Sequence, residues 1–257
     1  MRGVGAKTNC AKPMTVLNTI VAKQLTDFKK EVDALIDKKN LKKDEAVFNV
    51  LREYIKTSKR IRFDGDGYSF EWQEEARKRK LSNNKNTPEA LQVLTAKESI
   101  ALFDATGVMN EKELIAHQEV ELENYVFHMQ IEGRILRELV YNYVFPATVK
   151  YQNSLLENIA GLKDIYGAAH KGLTEPQLNI MEQMAEHLVA AKKLSDAMTD
   201  AKGQAEKKAT NAKKAQAYCN NVKPYFEKIR EHVDALETLV ADELWPLTKY
   251  RELLFVK

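Results

Sequence analysis

The chain has 257 residues, 44% of them apolar, and carries 40 basic and 37 acidic side chains for a net charge of +3. That is enough chain for one large domain or two small ones with a sizeable core, and because the two signs are interleaved, nothing in the balance demands nucleic acid or an anionic membrane. Ten glycines and six prolines are too few for a sandwich or barrel, which needs a turn about every ten residues, so the expectation is an all-α chain.

Arg2-Gly3-Val4-Gly5 opens the sequence, and a short polar loop leads to Pro13, a favourable first residue for a helix. From Leu17 the apolar positions recur at Val21, Leu25, Phe28, Val32 and Leu35, which predicts a helix from Thr15 to about Lys38 with one buried stripe. A second pattern from Ala46 through Val50, Leu51, Tyr54 and Ile55 completes a helical hairpin joined near Asn40. The period then falls to two over Arg60 to Phe63, ahead of Asp64-Gly65-Asp66-Gly67, so one short extended or hairpin excursion is predicted near residues 60–68. Shorter helices follow at Ser69 to Lys80 and at Pro88 to Ala105, the second capped by Thr87.

The longest pattern begins at Asn110, a cap with Glu113 three residues on. Its stripe runs through Ile115, Leu122, Val126, Met129, Gly133, Leu136, Val140 and Tyr143, with Gly133 placed to let another backbone approach. Pro146 ends or kinks this helix, and the stripe resumes at Tyr151, Leu155, Ile159, Leu162 and Tyr166. Two more helices are expected, from Glu175 to about Ala201 (Leu178, Met181, Ala185, Leu188) and from Val222 to Leu244 (Val222, Phe226, Ile229, Val233, Leu236, Val240). The Ala- and Lys-rich stretch between them has helical propensity but little to bury. Together these elements predict an elongated antiparallel bundle of long helices.

The apolar run from Val16 to Leu25 is broken by Asn18 and Thr19 and is no signal peptide, and no segment approaches the roughly 18 apolar residues of a membrane span. Cys10 and Cys219 lie far apart in no metal-like spacing, which suits a reducing cytoplasm. Asp64, Asp66 and Glu75 match three positions of a calcium loop, but Tyr68 and Ser69 stand where that loop needs an oxygen ligand and a glycine. His117 with Glu121 and His128 with Glu132 are four apart on one helix; di-iron bundles need a Glu three residues before a His, and none is present. No metal site is therefore expected. The basic run Arg77 to Lys80 sits at a helix end, where positive charge favours the dipole. Read from its residues, the chain is a helical module without an autonomous active site.

The opening stretch, Arg2-Gly3-Val4-Gly5 and then Pro13-Met14-Thr15-Val16-Leu17-Asn18-Thr19-Ile20-Val21-Ala22, resembles a segment of type III glutamine synthetases that begins at the Arg of a strand and ends in a helix. Collinear blocks agree with that family's carboxy-terminal region: Gly65 to Ser69, Thr87 to Leu91, Glu121 to Tyr125, Pro146 to Gln152, Trp245 to Leu247 and Tyr250 to Phe255. The resemblance implies that residues 1–13 are the remnant of a catalytic-domain strand and loop, and that residues 14–257 form a carboxy-terminal helical domain. It implies a parent ligase that joins glutamate to ammonia with ATP and Mg or Mn, whose catalytic domain and neighbouring subunits in a cytoplasmic homo-oligomer are this segment's partners. No cofactor is expected in the segment itself, nor nucleic acid or membrane. By the family's motif the metal-ligating Glu lies one position before Met1, so Arg2 alone matches an active-site position, as a substrate contact, and no complete catalytic set is expected. Ala6-Lys7 departs from the family's Ser-Ser at that place. Two other classes stay open: a free-standing helical interaction module, and a basic helical nucleic-acid binder if the lysines of residues 200–215 shared a face with Arg77 to Lys80.

Overall fold

In a computed structural model that describes residues 9–254, every regular element is helical, and no strand occurs among the described residues. The described residues form eleven α-helices: α1 (Ala11–Lys39), α2 (Lys43–Thr57), α3 (Phe70–Lys78), α4 (Thr87–Gln92), α5 (Lys97–Thr106), α6 (Glu111–Leu139), α7 (Phe145–Tyr166), α8 (His170–Glu206), α9 (Asn211–Ala217), α10 (Lys223–Leu239) and α11 (Tyr250–Leu254). Short 3₁₀ and π turns join several of them. The chain divides into two compact units, Met1–Val120 and Glu121–Lys257.

In the first unit α1 and α2 form the expected hairpin. Asn40 takes the left-handed conformation (φ 51°) that ends α1 and reverses the chain. Val32, Ala46 and Val50 are buried between the two helices, with Phe28, Leu35 and Tyr54 against them and the Phe28 and Tyr54 rings meeting edge to face at 6.0 Å. The excursion after α2 begins as a 3₁₀ turn, Ser58–Ile61, and continues as a loop whose Arg62 is extended; it forms no hairpin. Phe63 stacks on Trp72 at 4.3 Å, and the Arg79 guanidinium donates to the Arg60 and Arg62 carbonyls at 3.2 and 2.8 Å. Residues 87–106 form two helices rather than one, broken by a 3₁₀ turn at Val93–Thr95, and Asn86 rather than Thr87 supplies the cap, accepting from the Glu89 amide at 2.9 Å. The capping box at the start of α6 is reciprocal: the Asn110 amide donates to Glu113, and the Glu113 amide donates to Asn110.

In the second unit α8 is the central helix, packed by α7, α9 and α10. Val144, Met184, Leu188, Leu236, Val240 and Trp245 form its buried core, each large aliphatic side chain contributing about 1.5–3 kcal/mol. Pro146 neither ends nor breaks the helix. A π turn, Val140–Val144, precedes it, and the Phe145 amide donates to the Val140 carbonyl across the wider ring. The same device recurs before Pro224, where Tyr218–Val222 is a π turn and the Lys223 amide donates to the Tyr218 carbonyl. In both, proline comes two residues after the π turn, where its missing N–H and its ring would otherwise break an i−4 bond. Val140, Val144, Tyr218 and Val222 are each at most 1% exposed.

The π turn adds a residue and moves the buried stripe by one, so Val144, Ala147 and Thr148 are buried while Tyr143 is exposed. At the start of α6 it is Leu114, not Ile115, that is buried. On α8 the buried row is Met184, Leu188, Ala191, Ser195, Met198 and Ala205, not the expected row through Leu178 and Ala185. The Ala- and Lys-rich stretch buries more than expected: Ala205, Ala215 and Ala217 are enclosed, since a methyl group is all that closely spaced helices can hold there. The last long helix stops at Leu239, and Val240 leads through an extended turn to a buried Trp245.

Candidate functional site

Arg2 lies outside the described residues. The carboxylates of the calcium-loop pattern have local duties: Asp66 Oδ1 accepts from the Tyr68 amide at 2.9 Å, and Glu75 Oε1 holds Arg79 Nε at 2.6 Å, which keeps the Glu75 carboxyl below its ordinary range. His117 and His128 lie on exposed turns of α6, and among the described residues no three His, Cys, Asp or Glu side chains are placed to hold a metal ion. In the basic run, Arg77 pairs with Glu74 and Arg79 is committed to carbonyls and to Glu75. No helix among the described residues is long and apolar enough to cross a membrane.

Two surfaces remain, one in each unit. In the first unit α1 turns Val32 and Phe28 inward but leaves Ile20, Val21 and Leu25 facing solvent, the last 62% exposed. Along α2 the residues Phe48, Leu51 and Ile55, spaced three and four apart, are exposed as well. A groove of ≈ 590 Å³ opens between the two helices, lined by Gln24, Asp27, Glu31, Leu51, Tyr54 and Ile55. Tyr54 donates its hydroxyl to Glu31 Oε1 at 2.9 Å, and burial together with that carboxylate raises the phenol's pKa. Contiguous apolar rows of this kind mark surfaces made to be covered.

In the second unit α6 and α8 flank a groove of ≈ 560 Å³ lined by Phe127, Gln130, Ile131, Arg134, Lys202, Gly203, Glu206 and Tyr218. Lys202 occupies the next position of the buried α8 row, between Met198 and Ala205, so its stem runs inward and its Nζ donates to the Gln130 carbonyl at 3.2 Å. Gly133 makes room for it: a β-carbon there would stand 3.3 Å from Lys202 Cδ. The close approach expected at Gly133 is present, but a lysine and the Phe226 ring fill the space rather than a backbone. Glu206 Oε1 accepts from both the Tyr218 hydroxyl and the Gln130 amide. Burial and the nearby Arg134 lower the Lys202 pKa. For Glu206, burial pushes the pKa up, but the Tyr218 and Gln130 bonds outweigh it and hold the carboxyl low. Nothing in the residue pattern announced this groove, because it depends on Gly133 and Lys202 meeting across two helices.

The glutamine synthetase C-terminal domain family matches residues 46–163. Along its whole length the chain is 42% identical to a glutamine synthetase of Bacteroides fragilis (strain YCH46) and 29% identical to a type-3 glutamine synthetase of Dictyostelium discoideum. Over 82% of its length it is 30% identical to a glutamine synthetase of Butyrivibrio fibrisolvens. The chain spans 30–35% of the length of these relatives.

Proposed function

Since the chain belongs to the glutamine synthetase family and corresponds to the carboxy-terminal part of its relatives, we propose that it is the supporting helical segment of an ATP-dependent glutamate–ammonia ligase. The observation that carries this reading is the pair of exposed apolar rows on α1 and α2, in a chain that matches only about a third of each relative. The rest of such an enzyme, or a neighbouring subunit of a cytoplasmic homo-oligomer, is what covers those rows. ATP and Mg or Mn belong to that larger part, and Arg2 is the residue of this segment that would reach substrate. Phosphoryl transfer to a carboxylate needs metal, nucleotide and cationic groups held in fixed geometry, and losing that arrangement forfeits most of the rate. The chain alone is therefore inactive. The same exposed rows also suit a free-standing interaction module, in which a separate protein covers them.

Two measurements test the proposal. The purified chain, given ATP, glutamate, ammonia and Mg or Mn, should release neither glutamine nor phosphate; metal-dependent turnover free of host enzyme would overturn the supporting role. In an enzyme that carries this segment, Val21→Glu with Leu25→Glu should break the assembly or lower activity at least tenfold. Unchanged assembly and turnover would show that the rows are not buried in it.

A further inference from the structure

The groove of the second unit carries a charge imbalance that its own residues leave uncompensated. Arg134 and Lys202 both line it, and Arg134 makes no hydrogen bond or ion pair among the described residues. Lys202 has three donors and one acceptor, the neutral Gln130 carbonyl. The one acid in the lining, Glu206, already receives the Tyr218 hydroxyl and the Gln130 amide on a single oxygen. Two cations against one engaged carboxylate leave an excess of one positive charge beside a partly desolvated ammonium, where attraction for an anion is stronger than at an open surface.

The walls add a second requirement. Phe127 is 58% exposed at the rim, Ile131 lines the groove beside it, and Gly203 contributes no side chain. Tyr218, fully buried, closes one side with its hydroxyl held by Glu206. A ligand that filled this space would set an anionic group between Arg134 and Lys202 and an apolar portion against Phe127 and Ile131. Arginine offers a planar two-pronged donor and lysine a point charge, a pair suited to a carboxylate or a phosphate. We propose that the groove bounded by Arg134, Lys202, Phe127 and Ile131 is a binding site for a small organic anion bearing an apolar group, a carboxylate or a phosphate monoester. The proposal does not depend on the supporting role argued above.

The probes are benzoate and phenyl phosphate, with benzyl alcohol as the neutral match and inorganic phosphate as the anion without an apolar part. Each is titrated into the intact chain and followed by amide NMR. Benzoate or phenyl phosphate should shift the amides of Gln130, Ile131 and Gly203 saturably, with a Kd of about 1 mM or tighter, while benzyl alcohol does not bind. A preference between the two anions identifies the headgroup, and inorganic phosphate should bind more weakly than phenyl phosphate. Arg134→Gln, an exposed substitution that leaves the fold intact, should weaken binding about tenfold by removing one charge-assisted partner. Glu206→Gln should strengthen it, because the competing negative charge is gone while an acceptor for Tyr218 remains. No saturable shift at these amides up to about 20 mM, or affinity unchanged in both variants, would overturn the site.

Discussion

Gly133 on α6 faces Lys202 on α8 so closely that a β-carbon on the glycine would stand 3.3 Å from Lys202 Cδ, 3.5 Å from Phe226 Cε1 and 3.6 Å from Lys202 Nζ. The two residues hold matching positions on their helices' buried rows: Gly133 lies four residues after Met129, and Lys202 four after Met198. A lysine thus sits where a core residue belongs, and it is tolerated because the facing helix contributes no side chain. This pairing sets the depth of the groove.

Gly133→Leu should destabilise the chain by up to about 2 kcal/mol. Overpacking costs roughly 1–3 kcal/mol, and the gain in helix propensity on leaving glycine, about 1 kcal/mol, offsets part of it. Lys202→Ala should relieve the crowding, so the double variant should lose less than the sum of the two single losses by about 1 kcal/mol. Urea unfolding of the four proteins completes the cycle, and strict additivity would mean that the two side chains do not compete for this space.

Much of the architecture is legible in the sequence wherever large apolar residues carry the spacing. Val32 on α1, Val50 on α2, and Ile229 and Leu236 on α10 are buried where the periodicity places them, and the Asn110–Glu113 box is realised atom for atom. The reading fails where the buried row lacks such residues. On α8 it passes through Ala191, Ser195, Lys202 and Ala205, which no hydrophobicity pattern marks as interior. It also fails where the backbone changes period. The π turn at Val140–Val144 widens the local repeat, so the buried row steps four residues from Val140 to Val144, whereas the expected step of three lands on the exposed Tyr143.

Ser195→Ala should stabilise the chain by about 1 kcal/mol. Ser195 is fully enclosed on the α8 row, and its hydroxyl finds no hydrogen-bond partner among the described residues. An unmet buried hydroxyl is costly, and removing it leaves an alanine, the best helix former, against Met198 and its neighbours. A raised thermal midpoint checks this; a lowered one would mean that the hydroxyl is satisfied in solution.

Arg79→Gln should free the loop between α2 and α3. Arg79 caps the Arg60 and Arg62 carbonyls, pairs with Glu75 and lies over the Trp72 ring at 5.6 Å, so one side chain fastens the chain ends around Phe63 and Trp72. Arg79→Lys should not restore the restraint, because an ammonium lacks the planar fork that serves carbonyl, carboxylate and ring together. Trypsin under native conditions should cut after Arg60 and Arg62 several-fold faster in both variants, and equal rates would show that the loop is held by other contacts.

Glu206 and its bond to Tyr218 should make the stability of the chain depend on pH. Burial acts to raise the Glu206 pKa, but the Tyr218 hydroxyl, the Gln130 amide, Lys214 and Lys202 together hold it below the ordinary carboxylate value, while burial and the Glu206 charge push the Tyr218 phenol up. A carboxyl whose pKa is lower in the folded chain than in the unfolded one, about 4.3, favours folding at every pH above that unfolded value. Its contribution disappears as pH falls through the folded value. Lys202 has the opposite sign, since a lysine with a lowered folded pKa opposes folding while it is charged, but its titration lies far above this window. Wild type should therefore exceed Glu206→Gln in urea midpoint at pH 6 and approach it as pH drops towards 3. Because Glu206 is partly exposed, solvent and salt screen the effect and the gap is modest. Tyr218→Phe separates the bond from the bulk charge: with the phenol donor gone, the Glu206 carboxyl carbon, followed by NMR, should titrate at higher pH than in wild type. An unchanged titration point would assign the depression to the Gln130 amide and the lysines and remove Tyr218 from the network.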